Sequence, residues 1–225
     1  MTLYLDAGTT YSKIIAKDEN ITSLEPLLCR GDSTKYYITE SKNINELNLN
    51  IKSSCGHMTN SINHENEIIA LARGSKKYVE ANSTILDLGS RDAKWVKFKD
   101  GKFQDMDWNT SCASSTGATV EMLLKFYDLK VEDLRYESER FNITCGIFGL
   151  EKIMDAISKG ERSSVAVSKF VHGIAYNSWK FAKKPKKLYL SGGFCQNQCL
   201  VDSLAQYCEV VPLGRFVLCE GLMDE

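Results

Sequence analysis

The sequence predicts an α/β fold that contains a duplicated unit, and two observations support this prediction. Segments with strand-like alternation and segments with helical spacing both occur along the 225 residues. In addition, an apolar strand followed by the pattern Asp-x-Gly occurs at Asp6 and again at Asp87, 81 positions later. Each copy leads through a small-residue turn into a returning strand. Because the pattern occurs twice in the same order, it indicates a repeated unit better than a single hairpin could.

The first unit is predicted to begin with a β-hairpin. Apolar residues alternate on both sides of the turn Gly8–Thr10, which favours two paired strands. Further along, the stretch "NEIIALARG" has apolar residues at helical spacing, and Gly74 is expected to end that helix. The polar, Asn-rich stretch 43–50 predicts no element.

The second unit repeats the hairpin and extends it. A returning strand runs through Trp95, and Asp100-Gly101 predicts a tight turn into a third strand at Phe103. Apolar spacing then predicts three helices, at about 115–127, 147–158 and 163–182. The stretch "KKLYLSGGFCQN" is typical of a strand, a double-glycine turn and a helix. The last predicted strand is Val210-Val211, just before Pro212.

Composition and charge describe an ordinary globular protein. Hydrophobic residues make up 43% of the chain and charged residues 25%, and the net charge is −1. A charge so close to zero offers no general reason to bind nucleic acid or an anionic membrane, so neither partner is expected. The basic run Lys183–Lys187 surrounds a proline and is interpreted as a solvated turn. We predict subdomains at residues 1–80 and 81–225, with a return of the last residues to the first subdomain left open.

The eight cysteines are predicted to be reduced thiols. The chain opens on strand-like residues, without a basic and apolar leader, and has no apolar run long enough to span a bilayer. We therefore expect a cytoplasmic protein without disulfides. An alternative zinc site is offered by Cys195, Cys199 and Cys208. The residues predicted to pack in the core are Cys29, Cys55 and Cys219.

The two repeated turns are typical of turns that bind nucleotide phosphates. Gly8 lets the backbone approach a ligand closely, and the N–H groups of Thr9 and Thr10 can donate to phosphate oxygens. The carboxylate of Asp6 can hold Mg²⁺ through its waters. The second copy, Asp87–Asp92, is expected to face Asp6 across one cleft and to reach the same phosphates.

A third small-residue turn, Gly192-Gly193, is expected on the rim of this cleft, where an adenosine can lie against the backbone. Taken singly, each of the three turns is more often an ordinary tight turn of an α/β protein. Their order and repetition favour a nucleotide site.

Two cysteines precede predicted helices. Cys112 lies in the small-residue stretch "SCASSTG", and Cys145 lies in "ITCGIFG". The free N–H groups at a helix N-terminus favour a thiolate, so both residues are candidates for thiolate chemistry. The alternative is a buried structural cysteine.

The order of these motifs resembles the actin/sugar-kinase/Hsp70 ATPase superfamily. In sequence they read "DAGTT", "DLGSRD", "CASSTG", a second cysteine, and "SGGFCQN". Within the superfamily the chain resembles the BadF/BadG/BcrA/BcrD group and, more narrowly, the ATP-dependent activators of 2-hydroxyacyl-CoA dehydratases. The resemblance covers nearly the whole chain. It implies an actin-like (ribonuclease H-like) duplicated ATPase fold with two subdomains around a nucleotide cleft.

The resemblance also implies the cofactors and the residues that hold them. The implied cofactors are ATP or ADP, Mg²⁺ and one 4Fe–4S cluster shared across a homodimer. Since four thiolates complete such a cluster, each chain would supply Cys112 and Cys145. The implied catalytic residues are Asp6, Asp87, Asp92 and Glu67. The implied nucleotide-binding residues are Gly8, Thr9, Thr10, Lys13, Gly89, Ser90, Thr116, Gly117, Gly192, Gly193, Gln196 and Asn197.

The implied activity is ATP-driven electron transfer. ATP binding and hydrolysis reorient the helices at the cluster and deliver one low-potential electron to a 2-hydroxyacyl-CoA dehydratase-type or double-cubane partner. Reduced ferredoxin or flavodoxin is the implied donor. Two alternatives stay open: a degenerate ATP-binding regulator without cluster or turnover, and a small-molecule kinase of the N-acetylhexosamine type.

The chain departs from the family's pattern at four places. Arg91 stands where relatives have a glutamine, so ATP hydrolysis is expected to be slow or differently organised. Ser115 stiffens the turn of "CASSTG", and Leu71 replaces a histidine. The chain is also expected to end before the small-residue helix with which relatives return to the first domain.

Overall fold

A computed structural model describes residues 2–31, 33–57, 63–109, 117–143 and 146–223. The chain divides into two compact units. The first comprises Met1–Glu80 and Arg215–Glu225, and the second comprises Ala81–Gly214. Each unit has its own mixed β-sheet and its own apolar core.

The sheet of the first unit has six strands. They are β1 (Thr2–Ala7), β2 (Tyr11–Lys17), β3 (Leu28–Arg30), β4 (Thr34–Glu40), β5 (Ile51–Gly56) and β6 (Asn63–His64). Their order is β3-β4-β2-β1-β5-β6. β1 pairs antiparallel with β2, which confirms the predicted hairpin, and parallel with β5. A 3-10 helix at Ser41–Leu47 includes the first part of the Asn-rich stretch.

Two helices of the first unit cross at glycines. They are α1 (Glu67–Lys76) and α6, which follows in the last segment of the chain (Val217–Gly221). The prediction that α1 ends at Gly74 is wrong, because the helix continues to Lys76. Gly74 instead lies where α6 crosses α1, and a Cβ there would overlap the carbonyl of Val217. A Cβ on Gly221 would likewise overlap the carbonyl of Ala70. α6 therefore returns to the first unit, and the expectation that no such helix is present is also wrong.

The sheet of the second unit repeats this topology. Its strands are β7 (Ser83–Leu88), β8 (Ala93–Lys99), β9 (Lys102–Asn109), β10 (Lys187–Ser191) and β11 (Glu209–Gly214), in the order β11-β10-β7-β8-β9. β7 pairs antiparallel with β8 and parallel with β10, as β1 does with β2 and β5. The predicted duplication is thus confirmed. Asp100 and Gly101 both have positive φ, 52° and 71°, which confirms the tight turn.

In the described part of the chain, four helices cover the second sheet, and the first three of them confirm the three helical predictions. They are α2 (Gly117–Phe126), α3 (Gly146–Ser158), α4 (Ser163–Phe181) and α5 (Gln198–Leu204). α4 buries its apolar stripe, including Phe170 and Ile174, in the core of this unit. After α4, Lys183 and Lys184 are exposed, as expected for a solvated turn. β11 continues through Pro212, beyond the predicted strand. Among the described residues, no helix combines the length and apolarity needed to cross a membrane.

Candidate functional site

The first candidate motif is the turn between β1 and β2. Asp6, near the end of β1, is directly opposite Lys13 in β2, and its Oδ2 accepts a hydrogen bond from Lys13 Nζ at 2.9 Å. Only 5% of Asp6 is exposed, so the lysine neutralises a buried carboxylate. A Cβ on Gly8 would lie 2.6 Å from the carbonyl oxygen of Tyr11 and 3.1 Å from Lys13 Nζ. The turn therefore requires glycine at this position.

The backbone of this turn is braced by the residue that follows β4. Ser41 Oγ donates to the carbonyl oxygen of Gly8 at 2.6 Å, and Ser41 N donates to that of Thr10 at 2.9 Å. Thr9, between them, is exposed. The turn thus presents a fixed backbone at the surface of its unit, which phosphate binding by backbone N–H groups requires.

The second candidate motif lies between β7 and β8. Asp87 is directly opposite Lys94, as Asp6 is opposite Lys13. Lys94 Nζ lies 3.5 Å from Asp87 Oδ1 and 3.4 Å from Asp92 Oδ1. On the other side, Ser191 at the end of β10 donates its hydroxyl to Asp87 Oδ2 at 2.8 Å. One buried lysine therefore serves two carboxylates.

Two residues that contact Asp87 are not among the predicted site residues: Lys94 and Ser191. A signal for Lys94 was present, because it follows Lys13 by the same 81 positions that separate the two aspartates. Ser191 is the first residue of the motif "SGGFCQN", but its contact with Asp87 depends on the parallel pairing of β10 with β7.

The second turn is attached to β9 and to α2. Trp108 Nε1 donates to Asp92 Oδ2 at 2.6 Å, and the N–H of Gly89 donates to the carbonyl of Asp92 at 3.0 Å. The first N–H groups of α2, those of Gly117 and Ala118, donate to the carbonyls of Gly89 and Ser90 at 3.2 and 2.9 Å. Arg91 is exposed in this turn.

The third motif follows β10. Gly192 has φ of 94°, and a Cβ there would overlap the carbonyl oxygen of Leu88. Gly193 and Gln196 are exposed, so both can contact a ligand. Asn197, in contrast, is buried and caps α5 by accepting a hydrogen bond from Leu200 N at 3.0 Å. Its side-chain oxygen therefore supports the start of α5.

The remaining predicted site residues divide into two groups. Glu67 is the first residue of α1 and is buried in the first unit. Thr116, Cys112 and Cys145 lie outside the described residues. The expected approach of Asp6 to Asp87 across a cleft stays a prediction, because the two residues belong to different units.

The other cysteines are mainly packing residues. Cys195, Cys199 and Cys208 lie in the apolar core of the second unit, and burial raises the pKa of both Cys199 and Cys208 to about 11. Protonated core thiols are poor zinc ligands. Within the described ranges, no three His, Cys, Asp or Glu side chains are grouped closely enough to hold a metal ion.

The packing prediction for the remaining three cysteines is confirmed for two of them. Cys55 and Cys219 are buried. It is wrong for Cys29, which is exposed because it lies in the edge strand β3.

Two curated relatives are similar to almost the whole chain. The (R)-2-hydroxyglutaryl-CoA dehydratase activating ATPase of Acidaminococcus fermentans is 23% identical over 240 aligned residues, covering 96% of this chain and 92% of the relative. The 2-hydroxyisocaproyl-CoA dehydratase activator of Clostridioides difficile is 23% identical over 226 residues, covering 91% and 85%. No family model matches this chain.

A solved structure shares the fold. The activator of the 2-hydroxyisocaproyl-CoA dehydratase from Clostridium difficile with bound ADPNP has a TM-score of 0.75 and 18% identity, covering 98% of this chain and 92% of that chain. The fold of the present chain is therefore the actin-like ATPase fold, as the motifs predicted. The resemblance to the dehydratase activators is also confirmed.

Proposed function

We propose that this chain is an ATP-binding and ATP-hydrolysing activator of a 2-hydroxyacyl-CoA dehydratase-type partner. The observation that carries the proposal is the repeated aspartate–lysine pair at the ends of β1 and β7. Each pair lies beside a small-residue turn, and the turns carry the backbone groups that phosphates require. The similarity to named activators over nearly the whole chain supports the choice of partner.

The charges of the two motifs support different roles toward Mg–ATP. Asp6 and Lys13 form a neutral pair, and the Lys13 ammonium has three donors, so it can donate to a phosphate oxygen while it keeps its hydrogen bond to Asp6. Asp87 and Asp92 share one lysine and keep one negative charge in excess. Carboxylate oxygens are the ligands that Mg²⁺ prefers, usually through its waters. We therefore assign the metal mainly to the second motif and phosphate contacts to the first.

Hydrolysis requires a group that orients and deprotonates the attacking water. Candidates for that role are Asp6, Asp87, Asp92 and Glu67. Arg91 stands where relatives have a glutamine, and a guanidinium has no acceptor with which to orient the attacking water. We expect slow turnover for this reason.

We propose Cys112 and Cys145 as the thiolate ligands of a 4Fe–4S cluster, which supplies one-electron transfer when bound. The helices that follow these cysteines support assembly with a second copy. α2 exposes Met122 and Phe126, and α3 exposes Phe148 and Met154, each at least half exposed. Apolar side chains with this exposure are typical of a surface that a partner covers.

The proposed activity also requires an electron donor and an electron acceptor. Reduced ferredoxin or flavodoxin is the proposed donor, and a 2-hydroxyacyl-CoA dehydratase-type or double-cubane protein is the proposed acceptor. The names of the two relatives support a dehydratase as the acceptor.

Purification without oxygen tests the cluster. We expect about four iron atoms and four sulfides per dimer, with a visible charge-transfer band. Cys112→Ala should lose them, whereas Cys29→Ala, at an exposed cysteine of the other unit, should retain them. Iron-free protein that binds Mg–ATP without turnover would favour a degenerate regulator. Sugar-dependent ATP consumption would favour a kinase.

A further inference from the structure

We infer that Trp108 is a positioning residue that holds Asp92 beside Asp87 and thereby sets the affinity of the second motif for Mg²⁺. This inference rests on the proposed ATP-dependent function and assigns part of it to a residue that no motif includes. Trp108 belongs to β9, the edge strand of its sheet, and is directly opposite Lys94 in the register of β8 with β9.

The contacts of the Trp108 side chain involve both partners of the shared ion pair. Its Nε1–H donates to Asp92 Oδ2 at 2.6 Å, and Lys94 Nζ lies 5.4 Å from the centroid of its ring. Asp92 Oδ1 meanwhile lies 3.4 Å from Lys94 Nζ. One indole thus fixes one carboxylate oxygen by a charge-assisted hydrogen bond and covers the lysine that meets the other oxygen.

This arrangement has an electrostatic consequence. Asp87 and Asp92 repel each other, and a single lysine only partly offsets the repulsion. Without the indole donor, the partly exposed Asp92 can rotate away from Asp87 into water. A divalent cation would then meet one preorganised carboxylate in place of two.

The turn that carries Asp92 also connects to α2. Gly117 N and Ala118 N donate to the carbonyls of Gly89 and Ser90, and Asp92 accepts from Gly89 N through its own carbonyl. Loss of the Trp108 hydrogen bond should therefore loosen the first turn of α2 as well. The equivalent position in the first unit, Ile38 opposite Lys13, has no side-chain donor. Of the two motifs, only the second therefore has a side-chain donor at this position.

The test compares Trp108→Phe with Trp179→Phe. Trp179 is the matched control, because its Nε1 also donates a hydrogen bond, to the carbonyl of Pro185 at 3.1 Å, away from the motif. ATP binding is titrated by calorimetry over a series of Mg²⁺ concentrations, and amide hydrogen exchange is followed at Gly117 and Ala118. Trp108→His, which keeps a ring N–H, serves as the rescue variant.

We expect Trp108→Phe to raise the Mg²⁺ concentration needed for half-maximal ATP binding about tenfold, since a charge-assisted hydrogen bond is lost. ATP affinity without Mg²⁺ should stay within about twofold of wild type, because phosphate contacts are assigned to the first motif. Exchange at Gly117 and Ala118 should accelerate. Trp179→Phe should match the wild type, and Trp108→His should recover part of the Mg²⁺ dependence.

The outcomes separate this inference from the proposed function. Equal Mg²⁺ dependence and equal exchange in Trp108→Phe and Trp179→Phe overturn the inference while leaving ATP binding intact. If the wild type binds no ATP, the proposed function fails, and faster exchange at Gly117 and Ala118 in Trp108→Phe then decides the positioning role on its own.

Discussion

The turn after β1 and the turn after β7 use the same plan with different chemistry. In both, an aspartate in the first strand is opposite a lysine in the second, and a neighbouring parallel strand contributes a residue beside the aspartate. In the first unit that residue is Cys55, whose Sγ lies 4.0 Å from Asp6 Oδ1. In the second unit it is Ser191, whose hydroxyl donates at 2.8 Å. A thiol is the weaker donor.

The two copies of the duplicated unit differ in charge, which suits them to different parts of one ligand. The first pair is balanced, with one lysine and one aspartate at 2.9 Å. The second pair has gained Asp92 and Trp108, so that it holds more charge and more hydrogen bonds. A balanced pair suits a phosphate, and an acidic pair suits a cation. Substitutions at matched positions of the two units test this difference.

The largest effect is expected at the glycine at the carboxyl end of the parallel strand in each unit. Gly56 and Gly192 have φ of 95° and 94°, and a Cβ on either would overlap the carbonyl of the opposing strand, at Ala7 or Leu88. Each change to alanine should lower the free energy of unfolding by more than about 5 kcal/mol, because backbone strain and overlap add together. Urea denaturation measures this.

A control for that prediction separates backbone strain from overlap. Gly160 has φ of 93° with open space around its Cβ position. Gly160→Ala should therefore cost only about 1 kcal/mol. If Gly56→Ala proves as mild as Gly160→Ala while Gly192→Ala does not, the two turns are less alike than their geometry indicates.

The second-largest effect is expected when the buried lysine of either motif is replaced, and the loss of stability should differ between the two motifs. Lys94→Met leaves two carboxylates without their shared partner, and we expect a loss of about 3–5 kcal/mol in the free energy of unfolding. Lys13→Met strands only Asp6 and should cost about 2–3 kcal/mol. Lys97→Met, at an exposed position of the same strand as Lys94, should change stability by less than about 0.5 kcal/mol. Thermal unfolding of the three variants checks the order, and equal losses for Lys94 and Lys13 would refute the charge asymmetry.

Exchanging Ser191 and Cys55 tests how much the hydrogen bond to each aspartate contributes to stability. Ser191→Cys replaces a strong donor to Asp87 by a weak one and should cost about 1–2 kcal/mol. Cys55→Ser offers Asp6 a better donor, so its cost should stay within about 0.5 kcal/mol because the new hydrogen bond offsets the burial of a hydroxyl. Chemical denaturation of both variants and of the double variant measures this. A larger cost for Cys55→Ser than for Ser191→Cys would show that packing, not the hydrogen bond, matters there.

The smallest effect is a pH dependence in the second unit. Burial raises the pKa of Cys199 from 9.0 to about 11. Since the folded thiol holds its proton more tightly than the unfolded one, its contribution is complete below pH 9 and is lost as the pH rises toward 11. The free energy of unfolding should fall by about 1 kcal/mol by pH 10 from this group. Cys199→Ala should flatten that decline, and Cys29→Ala, at an exposed thiol, should leave it unchanged.

Much of the fold could be predicted from local patterns. The two hairpins and three long helices follow from alternation, apolar spacing and turn residues, which depend on near neighbours in the chain. The end of α1 could not be predicted, because Gly74 is a helix breaker by local rules and a helix crossing point in the folded unit. The exposure of Cys29 likewise depends on the position of β3 at the edge of its sheet.

The candidate site shows the same division. Asp6 and Asp87, with their glycine-containing turns, could be identified from sequence because each motif is continuous along the chain. Lys94 could be identified only by extending the repeat to the second strand of each hairpin. The contacts of Ser191 and Trp108 with the motif depend on the pairing of β10 and β9 with their neighbouring strands. Asn197 was assigned to a ligand by its motif, whereas the structure uses its oxygen to cap α5.

The duplicated α/β plan and the aspartates near the ends of its two leading strands can be identified from sequence alone, because strand alternation and turn chemistry act over a few residues. The side chains that surround those aspartates, in contrast, are brought there by the folding of each unit. Lys94, Ser191 and Trp108 reach the second motif from three different strands. Such contacts depend on sheet order and register, and these are set by the packing of whole units.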